Sequence, residues 1–234
     1  MTQDELIPKI DQAAEEGWTE LDLAGKNITE LPSEISKLAR LETLILGKQD
    51  FDQKGAEGHA GWEKENDRWI PIVLGNALTS LPCELAIMAQ LKVLNLSGNP
   101  WRNFPHTVTD LYWLKELILV RSSITEIPDS ISKLSNLTTL TLFNNQIAEI
   151  PDSISKLSNL TTLHLSNNQI TEIPDSISKL SNLDELSLSD NQITEIPDSI
   201  SKLLNLTTLH LYGNQIAEIP DSISKLSTLT TLKL

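Results

Sequence analysis

The chain has 234 residues, of which 39% are hydrophobic and only 4% aromatic, and its formal net charge is −14 at pH 7. An acidic chain of this kind repels phosphate backbones, which argues against nucleic acid as a partner. Its single cysteine, Cys83, excludes a disulfide within the chain. No signal-peptide pattern opens the sequence and no apolar run reaches membrane-spanning length, so we expect a cytoplasmic protein without a membrane partner.

Residues 1–17 are predicted to form an amphipathic capping helix. Thr2 and Glu5 have the spacing of a capping box, and Gly17 suits the position just past a helix end. Apolar residues recur on one face at helical spacing. We expect that face to cover the apolar layer at the beginning of the domain that follows.

Residues 18–234 are built on one repeated pattern, L-x-x-L-x-L-x-x-N-x-I, with a step of 23 residues in its regular part. A fixed period of this length predicts stacked coils rather than a globule, because each coil buries its apolar side chains against its neighbours. The pattern closely resembles the leucine-rich-repeat signature, with about nine repeats, the last of them incomplete. The step is carried by Ile124, Ile147, Ile170, Ile193 and Ile216, and by Pro128, Pro151, Pro174, Pro197 and Pro220.

The resemblance implies an α/β solenoid, curved, with short parallel strands on its concave face and helical or 3₁₀ turns on its convex face. In this family the repeated asparagine bonds the backbone of the turn and forms a ladder between coils. Lys26 replaces it in the first coil, so the ladder is expected to begin one coil later. Its predicted members are Asn76, Asn99, Ser122, Asn145, Asn168, Asn191 and Asn214.

The regular spacing is interrupted at residues 47–72, which we interpret as an insertion in one repeat. The insertion contains Phe51, Trp62 and Trp69 among many charged residues and glycines. Its tryptophans predict docking on the first coils, with the segment near Trp69 packed. Its glycines and charges predict a mobile tip at residues 53–61.

A narrower resemblance covers roughly residues 5–80. The stretches GWTELDLAGKNITELPSEI and LETLILGK, followed by a tryptophan-bearing polar insert, resemble the N-terminal part of bacterial Roco proteins. In that family, leucine-rich repeats precede a Ras-like GTPase domain and its dimerising partner domain. No phosphate-binding G-x-x-x-x-G-K-[ST] motif occurs in the chain.

We therefore expect a non-catalytic scaffold or sensor domain that binds a protein or peptide and needs no cofactor. Two alternatives remain open. In the first, the chain is a stand-alone adaptor or inhibitor. In the second, it is the substrate-recognition half of a larger enzyme such as a bacterial ubiquitin ligase.

The candidate binding residues are those that depart from otherwise near-copied repeats at concave positions, although drift at exposed sites is the competing explanation. We expect Phe143 and Tyr212 to anchor the partner and the histidines to make its affinity depend on pH. The predicted strip consists of Arg121, Phe143, His164, Asp184, Glu185, Asp190, His210 and Tyr212.

Other candidate chemistry is weak. His164 and His210 are two strands apart, about 10 Å, which is too far to share a metal ion without further ligands. The repeat geometry suggests no histidine beside Cys83, so an activated thiol is not expected. The Asn-Leu-Thr triplets, including Asn136, match glycosylation acceptors but arise from the repeat consensus.

Two further surfaces are candidate contacts. Tyr112 and Trp113 replace polar residues of the standard repeat, which predicts a patch that contacts another domain or packs against the insertion. Trp62 and Trp69 are secondary contact candidates. Because the sequence ends in mid-repeat at Leu234 without a cap, we expect a longer natural polypeptide or self-association through this end.

Overall fold

Nine parallel strands form the main sheet in the order β1-β2-β6-β7-β8-β9-β10-β11-β12, within the part of the chain that the structure describes. This computed structural model describes residues 1–55, 58–65 and 68–234, with only the backbone of Arg68. The strands are β1 (Glu20–Asp22), β2 (Thr43–Gln49), β3 (Trp62–Glu65), β4 (Arg68–Pro71), β5 (Val73–Leu74), β6 (Val93–Leu96), β7 (Glu116–Ile118), β8 (Thr139–Thr141), β9 (Thr162–His164), β10 (Glu185–Ser187), β11 (Thr208–His210) and β12 (Thr231–Lys233).

Short 3₁₀ helices of five residues each lie on the opposite side of the coils. Each begins directly after a residue in extended conformation, which in every case is proline. Proline suits this place because its fixed φ admits the turn and its missing N–H is not needed there. The helices are Ser33–Lys37, Cys83–Ile87, His106–Asp110, Asp129–Lys133, Asp152–Lys156, Asp175–Lys179, Asp198–Lys202 and Asp221–Lys225.

The core lies between the strands and the 3₁₀ helices, as one layer of leucine and isoleucine side chains per coil. In the β8 coil, for example, Ile131, Leu137, Leu140 and Leu142 are all 0% exposed. The predicted α/β solenoid is confirmed. It forms because a single coil has no interior of its own, so its aliphatic side chains leave water only when neighbouring coils stack on both sides.

Helix α1 (Gln3–Glu16) covers the first coil. The Thr2 N–H donates to Glu5 Oε2 at 2.9 Å, and Gly17 ends the helix in the left-handed conformation with φ 66°. The buried residues Leu6 and Ile10 belong to the same core as the leucines of the coils. In the described part of the chain, no helix has the length and apolar character that crossing a membrane requires.

The repeated asparagine forms the predicted ladder. Asn145 Nδ2 donates to Leu119 O at 2.7 Å and to Leu142 O at 3.0 Å, while its Oδ1 accepts the Ile124 N–H at 3.0 Å. Each asparagine thus joins its own coil to the preceding one and pairs backbone groups that are buried away from water. Asn76, Asn99, Asn168, Asn191 and Asn214 make equivalent bonds.

Ser122 is too short to continue this ladder, and a tryptophan compensates. The Ser122 hydroxyl donates to Val120 O, at 3.2 Å, within its own coil. Leu96 O, which an asparagine at position 122 would bond by analogy with its neighbours, instead accepts the Trp101 indole N–H at 3.2 Å. The hydrogen bond that Ser122 cannot make to Leu96 O is therefore replaced by the one from Trp101.

A second asparagine ladder runs along the other edge of the coils. Asn136, Asn159, Asn182 and Asn205 each donate from Nδ2 to a backbone carbonyl of the preceding coil at 2.8 Å. Three of these residues are the apparent glycosylation acceptors of the sequence. Their side-chain nitrogens are structural donors, which explains why the triplet recurs with the repeat.

Strand β2 pairs with β6 as far as Gly47, the predicted beginning of the insertion, and the strand itself continues through Gln49. Strand β5 then returns antiparallel to the end of β2, with Gln49 opposite Val73. Between them, β3 and β4 form a hairpin in which Trp62 pairs with Pro71. Residues 56 and 57 of the predicted mobile tip lie outside the described residues, and its mobility stays a prediction.

Candidate functional site

The concave surface is set by the alternation of side chains along each short strand. In β10, Leu186 is 0% exposed, so Glu185 and Ser187 on either side of it face away from the core. The parallel register places Glu185 beside Thr162 and Thr208, and Ser187 beside His164 and His210. Equivalent side chains of successive coils therefore form rows across the sheet.

One end of this surface is covered by the insertion. The Trp62 ring meets the Phe143 ring edge-on, with centroids 5.6 Å apart and planes at 72°. Arg121 Nη1 donates to Glu63 Oε1 at 2.8 Å and to Pro71 O at 2.9 Å. Two residues of the predicted strip, Arg121 and Phe143, thus contact the hairpin β3–β4 of the same chain.

The prediction that both tryptophans dock on the first coils is wrong. Trp62 reaches the coil of β8, because the paired strands of the insertion extend across the concave face. Trp69 is 39% exposed and contacts His59 within the insertion, with ring centroids 4.4 Å apart. Near Trp69, Ile70 is packed, with 6% of its surface exposed, and Pro71 is buried as well.

Beyond the hairpin, His164, Glu185 and His210 form a titratable group across β9, β10 and β11. His164 Nε2 lies 3.0 Å from Glu185 Oε1, an ion-pair distance without the alignment of a hydrogen bond. Burial lowers the pKa of His210, Lys233 and His164 lower it further, and Glu185 opposes them. His210 is therefore largely neutral at pH 7, when its ring offers both a hydrogen-bond donor and an acceptor.

Tyr212 and Asp190 lie at the far end of the strip. Tyr212 is 45% exposed, and burial together with the Asp190 carboxylate raises its pKa. A Cβ atom at Gly213 would come within 2.5 Å of Asp190 Oδ1, so glycine at this position leaves room for that carboxylate. With Asp184 exposed and Glu185 half-buried, three acidic side chains lie on and beside β10.

Charged residues near the beginning of the sheet are paired with one another. Lys48 forms an ion pair with Asp22, and Lys92 lies 2.8 Å from Glu42. The hydrogen bond to Asp22 raises the pKa of Lys48. These charges are therefore paired within the solenoid.

Metal ligation and thiol chemistry find little support in the geometry. In residues 1–55, 58–65 and 68–234, no three His, Cys, Asp or Glu side chains converge in a way that would hold a metal ion. The expectation that no histidine lies near Cys83 is wrong. His106 takes the equivalent position in the next coil, and both residues line a cavity of about 410 Å³. The Cys83 thiol itself donates a hydrogen bond to Glu84 Oε2 at 3.5 Å.

The aromatic flank is an edge-on pair, with the Tyr112 and Trp113 centroids 4.6 Å apart. Trp113 packs against the core, whereas Tyr112 is 59% exposed beside the coil of Ile87, which is 71% exposed. Trp113 occupies the position of Asn136 in the second ladder, and its buried Nε1 has no hydrogen-bond partner among the described residues. The flank therefore marks the beginning of that ladder and presents one exposed ring.

The final coil leaves its apolar layer accessible. Ile219, Leu232 and Leu234 are 52%, 37% and 51% exposed, and Leu234 lines a cavity of about 270 Å³ with Ile216 and Ile219. Self-association through this end stays a prediction.

Sequence reasoning identified Trp62 and Arg121 separately and missed the residues that connect them. Glu63 and Pro71 supply the side-chain and backbone acceptors for Arg121. One signal was available, since Arg121 stands where the next coils have Asn144 and Asn167 while the neighbouring insertion is acidic. The long-range pairing itself cannot be read from spacing, because the insertion has no repeat to fix its register.

The sequence and the fold both match known families. A family profile described as a leucine-rich repeat region matches residues 72–191, and one described as leucine rich repeat matches residues 181–234. No match was found among curated proteins.

Several solved structures are similar to this chain. A leucine-rich-repeat protein of Leptospira interrogans shares 32% identity at a TM-score of 0.76, over 92% of this chain and 50% of its own. Internalin C2 of Listeria monocytogenes shares 25% identity at a TM-score of 0.74, over 98% of this chain and 92% of its own. The ectodomain of the Arabidopsis thaliana receptor kinase GASSHO1/SCHENGEN3, solved in complex with CASPARIAN STRIP INTEGRITY FACTOR 2, shares 29% identity at a TM-score of 0.69, over 94% of this chain and 25% of its own.

This chain thus spans half the length of the Leptospira protein and a quarter of the plant ectodomain. Because the family profile covers more than half of its residues and the coils, strands and asparagine ladder agree with it, the chain belongs to the leucine-rich repeat family.

Proposed function

We propose that this chain binds a protein or peptide partner on the concave surface of β9 to β12, without catalysing a reaction. The observation that carries the proposal is the division of the concave face. Arg121 and Phe143 contact the insertion, whereas Tyr212 lies in a later coil. Tyr212 remains 45% exposed, as an interface aromatic does before it is buried by a partner.

The chemistry of this surface favours a partner segment with basic side chains. Asp184, Glu185 and Asp190 lie in one coil, where the preceding coil has Thr161, Thr162 and Asn167. The chain as a whole carries a net charge of −14, which steers a basic partner toward it. The similar plant receptor ectodomain is itself part of a complex, with CASPARIAN STRIP INTEGRITY FACTOR 2.

A variant copied from the neighbouring coil tests this surface with little risk to the fold. Asp184→Thr, Glu185→Thr and Asp190→Asn together give the β10 coil the residues of the coil before it. We expect the triple variant to keep its thermal unfolding temperature and to bind a captured partner about tenfold more weakly or worse. Asp152→Asn, Asp175→Asn and Asp198→Asn form the control, because they remove three charges from the exposed convex side.

The partner itself is to be found by photo-crosslinking. A photoreactive phenylalanine analogue at position 212 probes the concave face, and the same group at Ser178 probes the convex side. A partner that is captured only from position 212, and whose affinity falls in the concave variant but not in the convex control, supports the proposal. Equal affinity for both variants contradicts it.

We further propose that this chain is the sensor part of a Roco-like GTPase in the bacterial cytoplasm. The support is the sequence of residues 17–35 together with an insertion bearing Trp62. The test is the coding sequence after Leu234. A following phosphate-binding loop supports this role, a stop codon supports a stand-alone adaptor, and another catalytic domain supports the recognition half of an enzyme.

A further inference from the structure

The hairpin β3–β4 contacts the concave face at two residues that interrupt the repeat. Phe143 stands where the next two coils have Ser166 and Ser189, and Arg121 stands where the next coil has Asn144. Neither side chain is required by the solenoid, whose neighbouring coils form the same turns without them. Their contacts in the structure are to the insertion.

These contacts are of the kind that a separate chain makes. An aromatic ring meets Phe143 edge-on, a carboxylate accepts a hydrogen bond from Arg121, and the carbonyl of an extended strand accepts another. The Arg121 and Glu63 side chains remain 39% and 41% exposed, so the ion pair is open to exchange with solvent. The hairpin is thus attached to the concave face by recognition contacts rather than by a shared core.

We propose that Phe143 and Arg121 form a recognition site for an extended segment in which an aromatic residue is followed directly by an acidic one. The chain's own Trp62 and Glu63 occupy this site as an internal competitor. The proposal extends the proposed function, on which its biological role rests, to a second and chemically distinct part of the concave face. Here the partner contributes an acidic residue, whereas the β10 coil favours a basic one.

Because the hairpin β3–β4 belongs to the same chain, a partner must compete with it for Phe143 and Arg121. A short tether holds the hairpin at an effective concentration of about millimolar. A free segment that offers only the same two side chains therefore competes poorly. A partner that also contacts the later coils overcomes this competition, displaces Trp62 and exposes Phe143. The internal contact in this way favours partners that match both parts of the concave face.

The test uses the full chain with the double substitution Trp62→Ala and Glu63→Gln, which removes the competing side chains and keeps the backbone. The probe is a peptide with the sequence of residues 60–65, and the control peptide replaces its tryptophan and first glutamate by alanine and glutamine. Binding is followed by chemical-shift changes in two-dimensional NMR spectra. An aromatic edge contact and a half-exposed ion pair together predict binding that is about tenfold tighter to the double variant than to the unmodified chain.

Adding Phe143→Ser or Arg121→Asn to the double variant identifies the site, because both new residues occur at the same place in neighbouring coils. We expect either change to weaken the probe about fivefold or more, and the control peptide to show no saturable shifts. Three results overturn the proposal: no probe binding at about 5 mM, equal binding to the double variant and the unmodified chain, or binding that Phe143→Ser and Arg121→Asn leave unchanged. None of them bears on the Asp184, Glu185 and Asp190 variant, so the proposed function stands or fails separately.

Discussion

Arg121 donates a 2.8 Å hydrogen bond to Glu63 while its own backbone has a φ of 52°. This left-handed conformation is unfavourable for arginine and well tolerated by asparagine, which occupies the same place in the next two coils at φ 56° and 55°. The chain therefore keeps a residue that its backbone disfavours at the point where the insertion meets the concave face. The unfavourable backbone conformation of Arg121 indicates that this residue has a role other than stabilising the fold.

The first prediction concerns Arg121→Asn. This change should raise the free energy of unfolding by roughly 0.5–1 kcal/mol, because asparagine adopts the left-handed backbone conformation at a lower energy cost than arginine. The same change should speed amide exchange in β3 and β4 by about tenfold, because the hairpin loses two hydrogen bonds. Urea unfolding and hydrogen-exchange mass spectrometry measure the two effects.

Arg121→Lys is the control for this prediction. It keeps the charge and the unfavourable backbone but loses the planar guanidinium, so we expect faster exchange of the hairpin without a gain in stability. A loss of more than about 1 kcal/mol in Arg121→Asn would show instead that hairpin docking supports the whole fold.

The second prediction couples Trp101 to Ser122. Trp101→Ile should cost roughly 1–3 kcal/mol of unfolding free energy, through lost packing and a lost donor to Leu96 O. Ser122→Asn should restore about 1 kcal/mol in that background, since asparagine completes the ladder, and should gain little when Trp101 is present. Urea unfolding of the four proteins of the double-mutant cycle gives the coupling, expected at about 0.5–1.5 kcal/mol. A coupling near zero would mean that the two departures are independent.

The third prediction concerns Gly47, which lies in the bulge where β2 meets β6. A Cβ atom there would come within 1.7 Å of Ser97 O, a backbone atom that cannot move without disturbing the sheet. We expect Gly47→Ala to cost about 3 kcal/mol or more in urea unfolding. Gly58→Ala is the control, because a Cβ at Gly58 meets nothing within 4 Å and only its positive φ adds a cost of about 1 kcal/mol. Equal losses in both variants would refute the close approach.

The solenoid could be predicted because its information is repeated. One step of the sequence repeats the leucine of each strand, the ladder asparagine and the proline before each 3₁₀ helix. Each assignment is therefore supported by the equivalent residues of the other coils. Asn136 shows the limit of this reasoning. Its recurrence was visible, but its donor role depends on a carbonyl of the preceding coil at 2.8 Å, which only the stacked structure brings near.

The site was predictable only in its outline. The register of β9, β10 and β11 places His164 and His210 two strands apart, as the repeat pattern predicted. The contact between Trp62 and Phe143 was not predictable, because the hairpin obeys no period and its direction follows from the pairing of β5 with the end of β2. Positions inside the repeat are fixed by many equal neighbours, whereas the insertion is placed by a few contacts of its own.

The last prediction is the pH response of His210. Because burial, Lys233 and His164 lower its pKa in the folded chain, the unfolded chain protonates first as the pH falls through about 6.5. The free energy of unfolding should therefore fall as the pH decreases from about 6.5 to the lowered pKa and change little from this residue above that window. His210→Thr, which copies Thr141, should flatten this part of the stability profile measured by urea unfolding.

Two substitutions on the neighbouring strands should move the His210 titration in opposite directions. Lys233→Thr removes a positive charge and should raise the pKa of His210, whereas Glu185→Thr removes a negative charge and should lower it further. The midpoint of the His210 ring protons in an NMR titration measures both shifts. If both variants moved that midpoint the same way, the charges of β10 and β12 would not act on His210 as their positions require. A midpoint at or above about 6.5 in the unmodified chain would contradict the conclusion that burial lowers the pKa of His210.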